Sequence, residues 1–523
     1  MRKKFLLGFF SLVLFAHLAA RDEDIWNQAV DKFSSLLALV EKNYYREVDS
    51  EKLVFSSIRG MLETLDPHSY FLDPDNLSRM REEYSGKYFG LGMQIQKHQH
   101  DIVVIAPIEG TPASRLGIQP GDIISTIDGE STKPLTSFEA MQKLRGPKGT
   151  KVTITIVREG LEQPLELTIE REEIPLRSVP YAFMLNDKVG YILIRNFAET
   201  TVEEFEEKME MLTGQGAKSL VLDLRRNTGG PFFQSIELAD EFLPKGAAIV
   251  SIKGRNKRYN QEFKADRDNQ YERFPLVILI NRGSASASEI VSGAVMDNDR
   301  GFLVGEDSWG KGLVQTVFPL GQNVAVALTT AKYFTPSGRS IQRDYEHIED
   351  YFLYKQAPEE RREVRYTAKG RKVLGQGGIT PDFQVASTFR IITLELMNKG
   401  AFFGYARKFA GRQTALSKAF VFPNETGSAS TAGRIPLDKN FVADARVLAD
   451  FQTHLQAGKI AFDEQRFKEA EREIQRELER EIFSSVWGIE EGVKVYQKSD
   501  AVVLKALEVM PEAFKLVAGN ESR

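Results

Sequence analysis

The sequence predicts a multidomain α+β protein: an amino-terminal helical region, a small β-rich domain, an α/β core and a helical carboxyl-terminal region. Three observations carry this. The 523 residues are several domains' worth of chain. Apolar residues are spaced as in helices up to about residue 80, as in short strands from 84 to 173, and as strands alternating with helices from 177 to 383. Beyond 385, charged stretches with a helical apolar period return. The net charge of −4 is close to balance and suggests neither a polyanionic partner nor a nucleic-acid surface. Cysteine is absent, which excludes disulfides, thiolate catalysis, cysteine-ligated zinc and a lipid-modified amino-terminal cysteine. The six histidines are dispersed and make no H-E-x-x-H pattern, so no metal or other cofactor is expected.

The expected boundaries are 1–20, 21–83, 84–174, 175–384 and 385–523. Residues 1–20 join the charged start Met1-Arg-Lys-Lys to an apolar run at 5–18, the form of a signal peptide. This implies export to a bacterial periplasm or cell envelope, with an uncleaved membrane anchor as the alternative because Leu18 is larger than a cleavage site prefers. In 21–83 the apolar positions Phe33, Leu36, Leu37 and Val40, then Val54, Ile58, Met61 and Leu62, keep a helical period.

In 84–174, Gly90-Leu-Gly-Met93 opens a strand, residues 102–106 form another, and Gly117-Ile-Gln-Pro-Gly-Asp122 follows. The G-x-x-P-G-D signature resembles a PDZ domain. The resemblance implies that a peptide adds as a strand to a sheet edge while the loop of Gly90, Leu91, Gly92 and Met93 holds its terminal carboxylate. A helix over 136–144 would form the other wall of the groove, where Phe138 or Met141 could meet an apolar last residue. Arg145 begins a basic turn beside that helix.

The α/β core contains the stretch that carries chemistry. The short branched run 275–280 reads as a buried strand, Gly283 as a turn and 289–296 as a helix. A serine at that corner sits beside amides able to stabilise an oxyanion. Lys311 lies between Gly310 and Gly312, with Trp309 two residues before it as apolar cover, and desolvation lowers a lysine pKa towards a usable base. Gln315 lies four residues on, on the same face. The spacing of residues 305–311 matches a phosphate loop, but Gly312 stands where the serine or threonine belongs.

Ser284-Ala-Ser-Ala-Ser-Glu-Ile290 followed by G-E-x-x-x-G-K-G-x-V-Q resembles the C-terminal processing peptidases, or tail-specific proteases, which cut with a Ser-Lys dyad. The resemblance implies Ser286 as nucleophile, Lys311 as base and Gln315 as third residue, and the 25-residue interval from Ser286 to Lys311 fits it. It extends to Leu65-Asp-Pro-His-Ser-Tyr-Phe71, Tyr333-Phe-Thr-Pro-Ser-Gly-Arg-Ser-Ile-Gln342 and Gly378-Ile-Thr-Pro-Asp382. Asp223-Leu-Arg-Arg-Asn-Thr-Gly-Gly230 resembles the family's oxyanion loop and implies Gly229 or Gly230, with Ala287, as donors. The implied core is a crotonase-like β/α spiral. The charged stretch 343–376 reads as a surface insertion, and 462–487 as one amphipathic helix that packs on the core or on a second subunit as a homodimer contact.

Two functions follow. One is a serine endopeptidase that takes proteins with free carboxyl termini. The other is a catalytically silent PDZ peptide-binding or scaffold protein.

Overall fold

The computed structural model describes residues 26–158, 160–321, 323–354, 359–386, 389–423 and 435–518. The expected signal peptide lies outside the described residues. No helix among the described residues is long and apolar enough to cross a membrane. The chain is a mixed helix-and-sheet, multidomain protein with an amino-terminal helical region, as its sequence predicts. It divides into two compact units.

The smaller unit joins residues up to 77 with 315–329. Residues 26–43 are helical, and helix Ser50–Glu63 follows, begun by the Asp49 side chain, which accepts from the Lys52 amide. The Leu65-Asp-Pro-His loop closes on itself. Asp66 accepts from the amides of His68 and Ser69 and from the Ser69 hydroxyl, as a short acidic side chain does at a turn. Strand Tyr70–Leu72 then pairs antiparallel with residues 325–327.

In the larger unit, strands Met93–His98, Asp101–Pro107, Ile123–Ile127, Lys151–Val157 and Leu165–Glu170 form an antiparallel sheet over Ile102, Val104, Ile124, Ile154 and Ile156. The G-x-x-P-G-D turn has a structural cause for its last residue. Asp122 is buried, accepts from the Gln119 amide and takes two hydrogen bonds from Arg158. Helix Ser137–Leu144 begins with a reciprocal cap between Thr136 and Glu139.

The α/β core is a six-stranded sheet in the order Tyr181–Met184, Val189–Leu193, Ser219–Asp223, Leu276–Ile280, Phe302–Gly305, Phe383–Gln384. The first pair is antiparallel and the others parallel. The run 275–280 is continuously apolar because both faces are covered. Leu276, Ile278 and Ile280 pack with helices Thr201–Gly214 and Ala287–Asp297, while Val277 and Leu279 pack with helix Ala501–Ala518. The carboxyl-terminal region therefore supplies a layer of this sheet. Its other helices build a separate core around Phe402, Tyr405, Phe409 and Phe451. The single helix expected over 462–487 is two, Glu464–Glu469 and Glu471–Trp487, interrupted at Ala470.

One buried carboxyl on this scaffold gives a pH prediction. Glu241 follows helix Phe232–Asp240 and faces Glu206, Arg267 and Asp240. Burial, then repulsion from Glu206, pushes its carboxyl from 4.5 up to about 7. Folding thus favours the protonated form. The stabilisation is fully present below 4.5 and is lost as pH rises through about 7. Glu241→Gln is expected to raise Tm by ~2–4 °C at pH 8 and to leave it unchanged at pH 4, as thermal unfolding at both pH values will show.

Candidate active site

The corner after strand Leu276–Ile280 is stapled to the loop that follows strand Ser219–Asp223. Asn281 accepts from the amides of Gly283 and Arg226. Ser284 and Ser288 are fully buried and donate to the carbonyls of Leu224 and Asn227. The Ala285 amide also donates to Asn227. Of the three serines in the run, only Ser286 is half-exposed. It sits at the start of helix Ala287–Asp297 with φ 54° and ψ −112°. A side chain rarely adopts a positive φ, and such strain marks a turn that pushes a residue outward.

The structure draws the backbone of Lys311 to that of Ser286. Glu289, wholly buried one turn into the helix, accepts with one oxygen from the amides of Ser286 (2.8 Å) and Lys311 (2.9 Å). Its other oxygen accepts from the Gly310 amide and the Ser308 hydroxyl. Burial pushes this carboxyl up, against the four hydrogen bonds that favour its charge. Both flanking glycines have a cause. A Cβ on Gly310 would meet Arg343 Cγ at 2.6 Å, and one on Gly312 would meet the Gln342 amide at 3.0 Å.

Trp309 is held by aromatic and cationic neighbours. Its indole packs edge-on to Tyr351 and lies 4.5 Å from the Arg343 guanidinium, which also lies over Tyr351 and Tyr354. Arg343, the first residue of the charged stretch, thus holds the Gly-Lys-Gly loop, because its amide also donates to the Gly310 carbonyl.

The glycine pair lies against the serine. The Gly229 amide donates to Asn227 Oδ1, so its proton is used inside the loop. A Cβ there would sit 2.9 Å from Ser286 Cβ and 3.0 Å from the Ala287 amide. Gly229→Ala, strained also by φ 98°, is expected to cut cleavage by about 10²-fold through displacement of Ser286, measured as kcat on an unfolded protein. A Cβ on Gly230 would lie 2.1 Å from the Phe197 carbonyl.

Gln315 belongs to the smaller unit, where its side-chain amide donates to the His68 carbonyl. In the β-rich domain, Gly90 ends a strand, Leu91 is buried, Gly92 has φ 77° and Met93 starts the next strand. The Gly92 carbonyl accepts from the Ile108 amide and the Thr111 hydroxyl, and that of Leu91 from Ala113. Nearby, Arg145 pairs with Glu82 and lies 4.2 Å over the Tyr88 ring. Phe138 is half-covered by the Arg79 guanidinium at 4.7 Å.

Sequence reasoning missed Glu289, although S-x-x-E from Ser286 is a legible capping pattern. It marked Tyr333 only as the start of a landmark and gave no role to its hydroxyl, which donates to the Lys311 carbonyl at 2.6 Å.

Residues 188–350 match the model of peptidase family S41, residues 103–158 a PDZ domain, and residues 16–76 the N-terminal domain of the activating protease CtpB. A carboxy-terminal-processing protease of Bartonella bacilliformis is 39% identical over 346 residues, covering 65% of this chain and 79% of that protein. The carboxyl-terminal-processing protease of Synechocystis is 38% identical over 314 residues, 58% of this chain and 72% of its own. A solved photosystem II D1 C-terminal processing protease is 28% identical, with coverage of 65% and 84% and a TM-score of 0.36. The chain, with its PDZ domain and its S41 match, belongs to the carboxy-terminal processing proteases and is a serine-type peptidase.

Proposed function

We propose that this protein is an exported endopeptidase that captures unstructured carboxyl-terminal tails in a PDZ groove and cuts them with a Ser286–Lys311 dyad. The observation that carries the reading is the single Glu289 oxygen shared by the amides of those two residues. In acylation, Ser286 Oγ attacks the scissile carbonyl while the neutral Lys311 amine takes the hydroxyl proton. The oxyanion that forms is met by amides at Gly230 and Ala287, of which Gly230 is preferred because the Gly229 amide is engaged by Asn227. The Lys311 ammonium then returns the proton to the leaving amine, and water activated by the same amine releases the acyl group. The PDZ domain is assigned to 84–174, with the loop of Gly90 to Met93 taking the tail carboxylate, and the catalytic core to 175–384.

The test is cleavage of an unfolded protein carrying a free or an amidated carboxyl terminus, followed by mass spectrometry of the products and of enzyme labelled with a fluorophosphonate. Cutting that slows at least about tenfold on amidation, equivalent to ~1.4 kcal/mol, with the label on Ser286, supports the reading. Equal cutting of both substrates would remove the tail-capture half, and a label on another serine would remove the dyad.

A further inference from the structure

We propose that Tyr333 is a positioning residue for the dyad: its hydroxyl grips the backbone carbonyls of Lys311 and Ser286 and so sets the separation of base and nucleophile. The inference rests on the dyad reading above. Tyr333 lies near the end of strand Val324–Phe334, and its amide donates to the Gly312 carbonyl at 2.9 Å, which fixes the residue beside the Gly-Lys-Gly loop. The side chain is 1% exposed. Its Oη stands 2.6 Å from the Lys311 carbonyl and 3.3 Å from that of Ser286. A phenol has one proton to give, so the Lys311 contact is the main bond and the Ser286 contact its weaker branch.

The arrangement complements Glu289. One carboxylate oxygen holds the two amide N–H groups of Ser286 and Lys311, and one phenol holds their two carbonyls. The two residues of the dyad are 25 apart in sequence, yet both are gripped at both ends of their own backbone. Burial, and next the neighbouring Glu289, push the phenol well above its usual value, so it stays a donor throughout the working pH range. The hydroxyl is not needed to fill space, because phenylalanine has the same ring. Its polar atom faces the two carbonyls.

Tyr333→Phe is therefore expected to lower kcat about 10- to 100-fold, the usual consequence of displacing a reacting group by a fraction of an ångström. KM should stay within about twofold, since uniform binding is untouched. The rate is expressed per serine titrated with a fluorophosphonate, so that loss of folded enzyme does not count. The acid limb of the pH–rate profile should move, because the lysine's surroundings change with its separation from the serine. Replacement of Tyr333 by p-aminophenylalanine, which keeps a donor on the same ring, should restore most of the rate.

Ser286→Ala and Lys311→Ala are run alongside. If both are inactive while Tyr333→Phe keeps the wild-type kcat and pH profile, the inference is wrong and the dyad stands. If Lys311→Ala cuts normally, the dyad itself is wrong. A phenylalanine variant that does not fold, or an aminophenylalanine variant no better than phenylalanine, also overturns the inference, since the hydroxyl would then not act by donating to the dyad.

Discussion

Lys311→Ala is expected to lower kcat by at least ~10³-fold, to the level left by Ser286→Ala, and the double variant is expected to be no slower than either single one. A nucleophile and its base act as one unit, so removing the second member after the first costs little more. Lys311 is half-exposed, and only its amide and carbonyl enter the buried hydrogen bonds described above, so truncating its side chain leaves Glu289 and Tyr333 their partners. The melting temperature should stay within a few degrees of the wild type, and substrate binding should be retained. Single-turnover cleavage of a labelled, unfolded protein by all three variants is the measurement. A Lys311→Ala rate within tenfold of the wild type would rule out the lysine as base.

The second large effect is expected at Glu289. Its carboxylate meets four donors, from Ser286, Ser308, Gly310 and Lys311, with no exposure to water. Alanine would leave four buried donors without this acceptor, at about 1–3 kcal/mol each before relaxation. That is comparable with the whole stability of a domain, about 5–15 kcal/mol, so Glu289→Ala should yield little folded protein. Glu289→Gln is the more informative change. It keeps the shape but turns one acceptor into a donor, aimed either at the Ser286 and Lys311 amides or at Gly310 and Ser308. A fall in kcat of about 10²–10³-fold and a lower Tm are expected, scaled from the loss of one preorganised group.

The same residue predicts a pH effect with a definite sign. Because burial raises its carboxyl above the ordinary value, protonation arrives earlier as pH falls, and the protonated acid brings a donor to a site that offers only donors. Activity should therefore be lost on the acid side through Glu289 as well as through protonation of the Lys311 base, and the glutamine variant should lack only the Glu289 contribution to that limb.

Much of the architecture was readable because it is local. Leu276–Ile280 is a run of branched residues ended by Asn281, and helix Ala287–Asp297 carries the apolar face Ile290, Val291, Ala294 and Val295, so strand, turn and helix could be named from neighbouring residues alone. The same holds for the G-x-x-P-G-D turn, in which Asp122 caps its own loop. What could not be read lies in contacts between distant segments. Neither Tyr351 nor Arg343, which engage the Trp309 ring, is signalled as its neighbour by local sequence. The three serines of the run look alike in sequence. Only the carbonyls of Leu224 and Asn227, about sixty positions earlier, show that two of them are structural. Tyr333 carries no periodic signal for its hydroxyl, because strand alternation says which side a residue faces and nothing about what it meets there.

The helix Ala501–Ala518 that closes the second face of the α/β sheet also sets a schedule for making the protein. Its Asp500 pairs with Arg225, 275 positions earlier, at the base of the glycine loop, and its Val503, Ala506 and Val509 cover Val221, Val277 and Leu279. Until those residues have been synthesised, strands finished long before present one apolar face to solvent and Arg225 lacks a partner for its second edge. At about 5–20 residues per second, translation from the last parallel core strand, near 384, to 518 takes on the order of seven to thirty seconds. Through that interval the nascent chain carries an apolar sheet face that its final layer has yet to cover.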